Sequence, residues 1–178
     1  MKFGGTSVAN LSRIKNLQQL VKNKISNGHK KILIVVSAMS GVTNNLVKQY
    51  KKIDSNINKP EYDVILSTGE QYSSAIISTF LNKNGLKSRS ILGWQIPIIT
   101  DDKFSQARIE KINTEKILKL FKKFNVLVVA GFQGISSEDR ITTLGRGGSD
   151  TSAVAIAVAL KSKICEILKI KKLQISNQ

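Results

Sequence analysis

The chain has 178 residues, of which 41% are hydrophobic, so it has room for one compact domain with a sizeable core and is not a disordered or fibrous protein. No run approaches the roughly 18 to 20 apolar residues of a membrane span, and the N-terminus does not resemble a signal peptide, so we expect a cytoplasmic protein. The formal net charge of +16 indicates solvated helix faces rather than a nucleic-acid binder, because the lysines are spread along the helical segments instead of being interleaved with aromatic residues in one block.

Helix-type and strand-type runs alternate in the first part of the chain. Apolar residues recur every three or four positions from residue 10 to residue 26, which predicts an amphipathic helix ending near Asn27. The continuous β-branched run Ile32–Val36 predicts a strand that is buried on both faces. Helical spacing returns over residues 40–53, and the polar, turn-rich residues 54–60 predict a loop inside the domain.

The same alternation continues in the middle of the chain. Apolar residues over positions 65–81 predict a second long helix, and residues 90–92 and 96–99 predict two short strands. Thr114 is predicted to cap a further helix. Val126–Ala130 reads as the next buried strand, so the sequence predicts an α/β fold with a mostly parallel sheet covered by helices.

The last predicted elements are a helix over residues 149–160 and a strand over residues 164–168. The helix is rich in alanine and valine and apolar nearly all round, which predicts that it is buried. The single cysteine, Cys165, cannot form an internal disulfide, and no cysteine or histidine pair has metal-ligand spacing. We expect Cys165 to be a buried, inert thiol.

Three glycine-containing turns lie where a strand is predicted to lead into a helix, at residues 2–7, 37–43 and 145–150. Each has the composition of an anion site, because glycine permits close backbone approach and the following helix presents unpaired N–H groups. Such turns are also common as plain connections, and none matches the phosphate-loop or dinucleotide-binding pattern. Any one of them alone is therefore weak evidence for phosphate binding.

Charged residues beside these turns suit phosphoryl transfer between two anions, a reaction that depends on positioning and charge neutralisation. Lys2 can bridge phosphate oxygens, and Arg146 can fork onto a carboxylate. Asp150 and Glu70 can hold an ammonium group or orient the lysine. Surface salt bridges and helix capping explain the same residues about equally well.

Four longer motifs resemble the aspartate kinases of the amino-acid kinase superfamily. They are Lys-Phe-Gly-Gly-Thr-Ser-Val from residue 2, Val-Ser-Ala-Met-Ser-Gly-Val-Thr-Asn from residue 36, Leu-Ser-Thr-Gly-Glu-Gln from residue 66, and Ile-Thr-Thr-Leu-Gly-Arg-Gly-Gly-Ser-Asp-Thr from residue 141. Their order and spacing are also similar, and the resemblance extends from Lys2 to about Ile167. It implies a three-layer α/β/α sandwich, of the amino-acid kinase or carbamate kinase type, and ATP-dependent phosphorylation of L-aspartate for lysine, threonine and methionine synthesis.

The resemblance also implies roles for individual residues. Lys2 and Asp150 are the implied catalytic residues, and no protein residue is implied as a metal ligand, since Mg²⁺ would arrive with ATP. The implied ATP-binding residues are Lys2, Phe3, Gly4, Gly5 and Ser7. The implied aspartate-binding residues are Ser37, Thr43, Glu70, Arg146, Gly147, Gly148 and Ser149.

The chain departs from the family pattern at both ends. Only Met1 precedes Lys2, and after Ile167 the expected Thr-Asp-Val-Asp-Gly-Val segment is replaced by residues 168–178. We therefore expect residues 1–178 to be a single partial catalytic domain, C-terminally incomplete and without a regulatory domain, which forms a homodimer or pairs with a chain that supplies the missing segments. The alternative is an inactive remnant that folds or binds substrate without turnover.

Overall fold

The computed structural model describes residues 1–168. The strands of this part are β1 (Lys2–Phe3), β2 (Ile32–Val36), β3 (Ser88–Ile91), β4 (Ile98–Thr100), β5 (Ile109–Ile112), β6 (Val126–Ala130), β7 (Gln133–Ile135), β8 (Ile141–Thr143) and β9 (Ile167–Leu168). The helices are α1 (Leu11–Ser26), α2 (Val42–Lys51), α3 (Pro60–Lys83), α4 (Thr114–Leu120) and α5 (Gly148–Ala159), with a 3₁₀ turn at Gly5–Val8.

The main sheet is parallel throughout, with strand order β3-β6-β2-β1-β9. Its two central strands, β2 and β6, pair along their whole length from Ile32 opposite Val126 to Val36 opposite Ala130. Successive side chains on these strands point to opposite faces, so Ile34 packs into one core cluster and Val35 into another. This explains why the strands are apolar at every position rather than at alternate ones.

Helices cover both faces of the main sheet, which gives three layers. Side chains of α1 and α3, among them Leu17 and Ile77, form one core cluster with the sheet. Side chains of α4 and α5, among them Ile117 and Ile156, form the other. The predicted α/β/α architecture is confirmed.

A second, four-stranded sheet with the order β5-β4-β7-β8 lies beside α3. Strand β4 is parallel to β7, and the two outer pairs are antiparallel. Strand β8 contacts α3, so the residues that follow it, including Arg146, are brought toward the carboxyl ends of the main sheet. This sheet positions one wall of the cleft described below.

Most of the predicted helices and strands are confirmed, with small shifts at their ends. Helix α1 begins one residue after its cap, Asn10, whose side-chain oxygen accepts a hydrogen bond from the Arg13 backbone N–H. Strands β2 and β6 have the predicted bounds. The predicted long helix begins at Pro60, where the fixed φ of proline suits the first helical position.

Three strands were missed, and three sequence-based expectations are wrong. Strands β5, β7 and β8 were not predicted, because they are short and carry polar residues. The cap of α4 is Asn113, whose side chain accepts from Lys116 N, and not Thr114. Helix α5 is not buried all round, since Val158 is 71% exposed, and the thiol of Cys165 belongs to an exposed residue.

No helix within residues 1–168 is long and apolar enough to span a membrane. The segment over which the chain departs from the family pattern lies, from residue 169 onward, outside the described residues.

Candidate functional site

A cleft of about 1190 Å³ opens at the carboxyl ends of β1, β2 and β6. In open parallel sheets this edge is where ligands bind, because loops and helix N-termini converge there. Most of the residues predicted from the sequence line this one cleft: Lys2, Ser37, Thr43, Glu70, Arg146, Gly147, Gly148, Ser149 and Asp150.

The first two glycine turns are in direct contact. The Ser37 N–H donates to the Phe3 carbonyl at 3.2 Å, and the Ser40 N–H donates to the Gly5 carbonyl at 3.3 Å. A Cβ atom added at Gly5 would lie 2.4 Å from the Ala38 carbonyl oxygen, a distance that no larger residue tolerates without movement. Glycine at position 5 therefore allows the two turns to form one surface of the cleft.

The third glycine turn leads into α5 and places its N-terminus in the cleft. Gly147, the residue before the helix, has a φ of 73°, a left-handed conformation that favours glycine. Helix α5 is 12 residues long, and Gly148, Ser149 and Asp150 form its first turn at the cleft wall. The N–H groups of Gly148 and Asp150 already donate to the carbonyls of Gly145 and Gly147, at 3.1 and 2.9 Å, so it is chiefly the dipole of this helix end that favours an anion at this position.

An ion pair joins the first turn to the third. Lys2 Nζ lies 2.7 Å from Asp150 Oδ1, and the side chains are 11% and 47% exposed respectively. Lys2 is therefore held at the N-terminus of α5 by a residue of that helix. Its ammonium group lies beside the partial positive charge of the helix end, and the Asp150 carboxylate offsets part of this positive charge.

Glu70 enters the cleft from α3 and is the most unusual ionisable group in it. The residue is 4% exposed, and its Oε1 accepts a hydrogen bond from the Ala38 backbone N–H at 2.9 Å. Its Oε2 has no hydrogen-bond partner within residues 1–168. Burial raises the pKa of Glu70 to about 7, and the hydrogen bond from Ala38 offsets part of that effect. A cationic ligand group beside Oε2 would restore the ionised form.

Arg146 lies in the turn between β8 and α5, at the outer wall of the cleft. It is exposed, and it makes no ion pair with any residue of the described part of the chain. Ser37 and Thr43 are half-buried, and Ser149 is buried at the start of α5. The cleft is thus lined by an exposed cation, a buried carboxyl group and three hydroxyl groups.

Four of the residues implied as ATP-binding do not line the cleft with their side chains. The Phe3 side chain is fully buried in the hydrophobic core, and Ser7 is buried in the 3₁₀ turn. Gly4 and Gly5 have only backbone atoms to offer, and a Cβ atom at Gly4 would lie 3.6 Å from Lys2 Nζ. A contact between these residues and a nucleotide would therefore be made by the backbone.

Several residues of the cleft were not predicted. Residues 105–108 between β4 and β5, Ile109 at the start of β5, Tyr62 on α3 and Phe132 after β6 all line it. Phe132 directly follows the predicted strand Val126–Ala130 and Gly131, a position where ligand-contacting residues of parallel sheets lie, so its place in the sequence offered a signal. Residues 105–109 had none, because the second sheet that carries them was not predicted.

The described residues contain no cluster of three or more histidine, cysteine, aspartate or glutamate residues that would hold a metal ion. The cleft does offer a lysine and a helix N-terminus, which are partners for phosphate oxygens. This set suits a Mg²⁺ ion that is held mainly by phosphate oxygens and water rather than by a protein cage.

Residues 1–170 match the Amino acid kinase family. The aspartokinase of Rickettsia felis is 46% identical over 169 residues, which make up 93% of this chain and 42% of that protein. The aspartokinase of Bacillus sp. (strain MGA3) is 47% identical over 166 residues, 40% of its length. The chain thus spans less than half the length of these curated relatives.

Solved structures agree with this match. The aspartate kinase from Synechocystis is 44% identical, with a TM-score of 0.77 over 93% of this chain and 27% of that one. E. coli aspartokinase III, solved in complex with aspartate and ADP, has a TM-score of 0.78 at 23% identity, which is a likeness of fold. Isopentenyl phosphate kinase is more distant, with a TM-score of 0.56.

Proposed function

The chain belongs to the amino acid kinase family, and from this premise we propose that it transfers the γ-phosphoryl group of ATP to the side-chain carboxylate of L-aspartate. The products are ADP and 4-phospho-L-aspartate. The names of the relatives at 46% and 47% identity support aspartate as the acceptor. The reaction is the first step of lysine, threonine and methionine synthesis, and we place it in the cytoplasm, where ATP and aspartate are both present.

One observation carries the proposal: the Lys2–Asp150 ion pair, Glu70 and Arg146 border the same cleft. Two anionic reactants repel each other, so an enzyme that joins them must neutralise their charge. The cleft provides two cationic side chains and a helix N-terminus for this purpose. It also provides a buried carboxyl group for the one positively charged group of the substrate pair, the ammonium of aspartate.

Lys2 and the first turn of α5 form the phosphate end of the proposed site. The Lys2 ammonium stabilises negative charge on the transferring phosphoryl group, and Asp150 holds the lysine in place. Phosphate oxygens lie at the N-terminus of α5 near Ser149, where the helix dipole favours negative charge. Mg²⁺ accompanies ATP and neutralises phosphate charge.

The aspartate end is formed by Arg146, Glu70 and three hydroxyl groups. Arg146 pairs with the α-carboxylate in a forked geometry, and Glu70 accepts hydrogen bonds from the ammonium group. Ser37, Thr43 and Ser149 orient the reacting carboxylate. That carboxylate has an ordinary pKa of about 4 and is ionised at neutral pH, so it attacks the phosphorus in line without a protein nucleophile or general base.

The same proposal extends to assembly. The relatives are more than twice as long as the matched region, so we propose that this chain acts as a homodimer or together with a polypeptide that supplies further parts of the relatives' fold. Size-exclusion chromatography with light scattering distinguishes these states from a monomer.

A coupled assay of ADP release, run with and without L-aspartate, tests the activity. Lys2→Ala removes the charge at the phosphoryl group and is expected to lower turnover by about 10²- to 10³-fold. Lys24→Ala is the matched control, because Lys24 also forms an ion pair of 2.7 Å, with Glu166, away from the cleft. Equal activity of wild type and Lys2→Ala would contradict the proposal, as would ADP release that does not depend on aspartate.

A further inference from the structure

Asp63 is a buried carboxylate on α3, two helical turns before Glu70, and the chemistry described above does not use it. Its side chain is fully buried and accepts hydrogen bonds from two separate segments. The Ser105 backbone N–H lies 2.9 and 3.0 Å from its two oxygens, the Thr143 N–H lies 2.6 Å from Oδ2, and Thr143 Oγ1 lies 2.8 Å from Oδ1.

The two segments held by Asp63 form the wall of the cleft around Arg146. Ser105 belongs to the connection between β4 and β5, and Thr143 ends β8, three residues before Arg146. The segments are also joined to each other, since the Ala107 N–H donates to the Thr143 carbonyl at 2.9 Å. Both Ser105 and Thr143 line the cleft, so a shift of either one moves this wall.

Ser105 has a backbone conformation that needs such support. Its φ is 65°, in the left-handed region that residues other than glycine seldom adopt. A strained residue persists only where its surroundings hold it. Asp63 holds the Ser105 N–H, and Asn58 accepts a hydrogen bond from the Ser105 hydroxyl at 3.1 Å.

No apolar residue can replace Asp63 without leaving buried donors unpaired. Two backbone N–H groups and one hydroxyl group point at the carboxylate from segments that are distant in the chain. One carboxylate accepts all of them, whereas water cannot reach a fully buried site. Asp63 therefore fixes the distance between the two segments as well as stabilising each.

We propose that Asp63 is a positioning residue for aspartate: through Ser105 and Thr143 it sets the place of Arg146 and so the affinity for the amino-acid substrate. This inference rests on the proposed function. It differs from a general structural role, because Lys2 and Asp150 at the phosphate end of the cleft belong to β1 and α5, and the hydrogen bonds of Asp63 go to Ser105 and Thr143 instead.

Steady-state kinetics of Asp63→Ala, with both substrates varied, tests the proposal. The KM for aspartate is expected to rise at least tenfold while the KM for ATP changes less than twofold. Asp63→Asn is expected to restore the KM for aspartate to within about threefold, because its amide oxygen can accept both backbone N–H groups while its amide nitrogen donates to Thr143 Oγ1. Asp63→Glu keeps the charge but is one methylene longer, and it replaces Asp63→Ala in the test if the alanine variant does not fold. Asp63→Glu is also expected to raise only the KM for aspartate.

Ser78→Ala is the control on the same helix. Its hydroxyl pairs with that of Ser88 at 3.1 Å in the core, away from the cleft, so both KM values are expected to stay unchanged. An unchanged KM for aspartate in Asp63→Ala or Asp63→Glu, or equal rises for both substrates, would overturn the inference.

A second measurement separates failure of this inference from failure of the proposed function. If wild-type protein shows no aspartate-dependent ADP release, the proposed function is wrong. Amide hydrogen exchange then tests whether Asp63 holds the two segments in place. The Ser105 and Thr143 amides are expected to exchange at least tenfold faster in Asp63→Ala than in Ser78→Ala. Equal exchange rates would overturn the positioning role.

Discussion

Asp63 and Glu70 are two buried carboxylates on the same helix, and their surroundings differ. The two oxygens of Asp63 accept from two backbone N–H groups and a hydroxyl group, whereas Glu70 accepts one backbone N–H and leaves Oε2 without a partner among the described residues. A buried carboxylate whose oxygens are all bonded fixes structure. Glu70 lines the cleft and keeps one oxygen without a partner among the described residues, which is why we propose that it binds the ammonium of aspartate.

Ionisation separates the two groups further. Burial raises the pKa of both carboxyl groups above the ordinary value, but hydrogen bonds from Ser105 and Thr143 counter this at Asp63. At Glu70 the pKa reaches about 7. The folded protein therefore holds a proton on Glu70 that the unfolded chain releases near its ordinary pKa of 4.5.

The largest expected effect is the loss of stability in Asp63→Ala. It leaves two buried backbone N–H groups unpaired, each costing about 1–3 kcal/mol, so the free energy of unfolding is expected to fall by about 4 kcal/mol. Urea unfolding followed by circular dichroism measures this change. A loss below about 1 kcal/mol would show that the hydrogen bonds of Asp63 are not structural.

Glu70→Gln is expected to act in the opposite direction at high pH. A folded pKa of about 7 against 4.5 means that the stabilising contribution of Glu70 is fully present below pH 4.5 and is lost as the pH rises through 7. The loss amounts to about 3 kcal/mol, at 1.36 kcal/mol for each unit of pKa. Glutamine keeps the hydrogen bond to Ala38 without the charge. The free energy of unfolding of this variant, relative to wild type, should therefore rise by about 3 kcal/mol as the pH is raised from 4 to 8. Parallel unfolding profiles of the two proteins would refute the raised pKa.

The pH dependence of aspartate use is expected to follow the same group. Ammonium binding needs ionised Glu70, so kcat/KM for aspartate should rise about tenfold from pH 6 to pH 8, as a group with a pKa near 7 ionises. Initial rates at low aspartate concentration measure it. In Asp63→Asn the rise should persist, and its absence there or in wild type would mean that Glu70 does not meet the ammonium.

The smallest expected effect concerns a third carboxylate on α3. Glu61 is 69% exposed and pairs with Arg140 at 2.5 Å. Exposed ion pairs contribute about 1 kcal/mol or less, because water screens the charges. Glu61→Ala should therefore lower the free energy of unfolding by less than about 1 kcal/mol in a urea titration. A larger loss would contradict the expectation that an exposed carboxylate on this helix contributes less stability than a buried one.

The parallel sheet could be predicted from the sequence because its central strands are unbroken apolar runs, as in Ile32–Val36. The second sheet could not be, since strands such as Gln133–Ile135 and Ile141–Thr143 are three residues long and partly polar. The segment around Ser105, which depends on that sheet for its place in the cleft, was missed for the same reason.

Helix α3 shows why one carboxylate was found and the other was not. The apolar residues over positions 65–81, on which the prediction of this helix rests, include Tyr72, which is exposed, while the buried stripe holds Asp63, Leu66, Glu70 and Ile77. Serine and carboxylate side chains on that stripe weaken the hydrophobic period. Glu70 was identified from the family motif, whereas Asp63 lies outside it. The available signal for Asp63 was its position two helical turns before Glu70, which places both carboxylates on the same face of the helix.

The most direct test is a carboxyl ¹³C NMR titration of Glu70, assigned by comparison with Glu70→Gln. We expect a pKa of about 7 in the free protein. We expect this pKa to fall by at least one unit when aspartate is bound, because the ammonium favours the ionised carboxylate. A pKa near 4.5 in the free protein, or a raised pKa that aspartate leaves unchanged, would contradict the proposed role of Glu70.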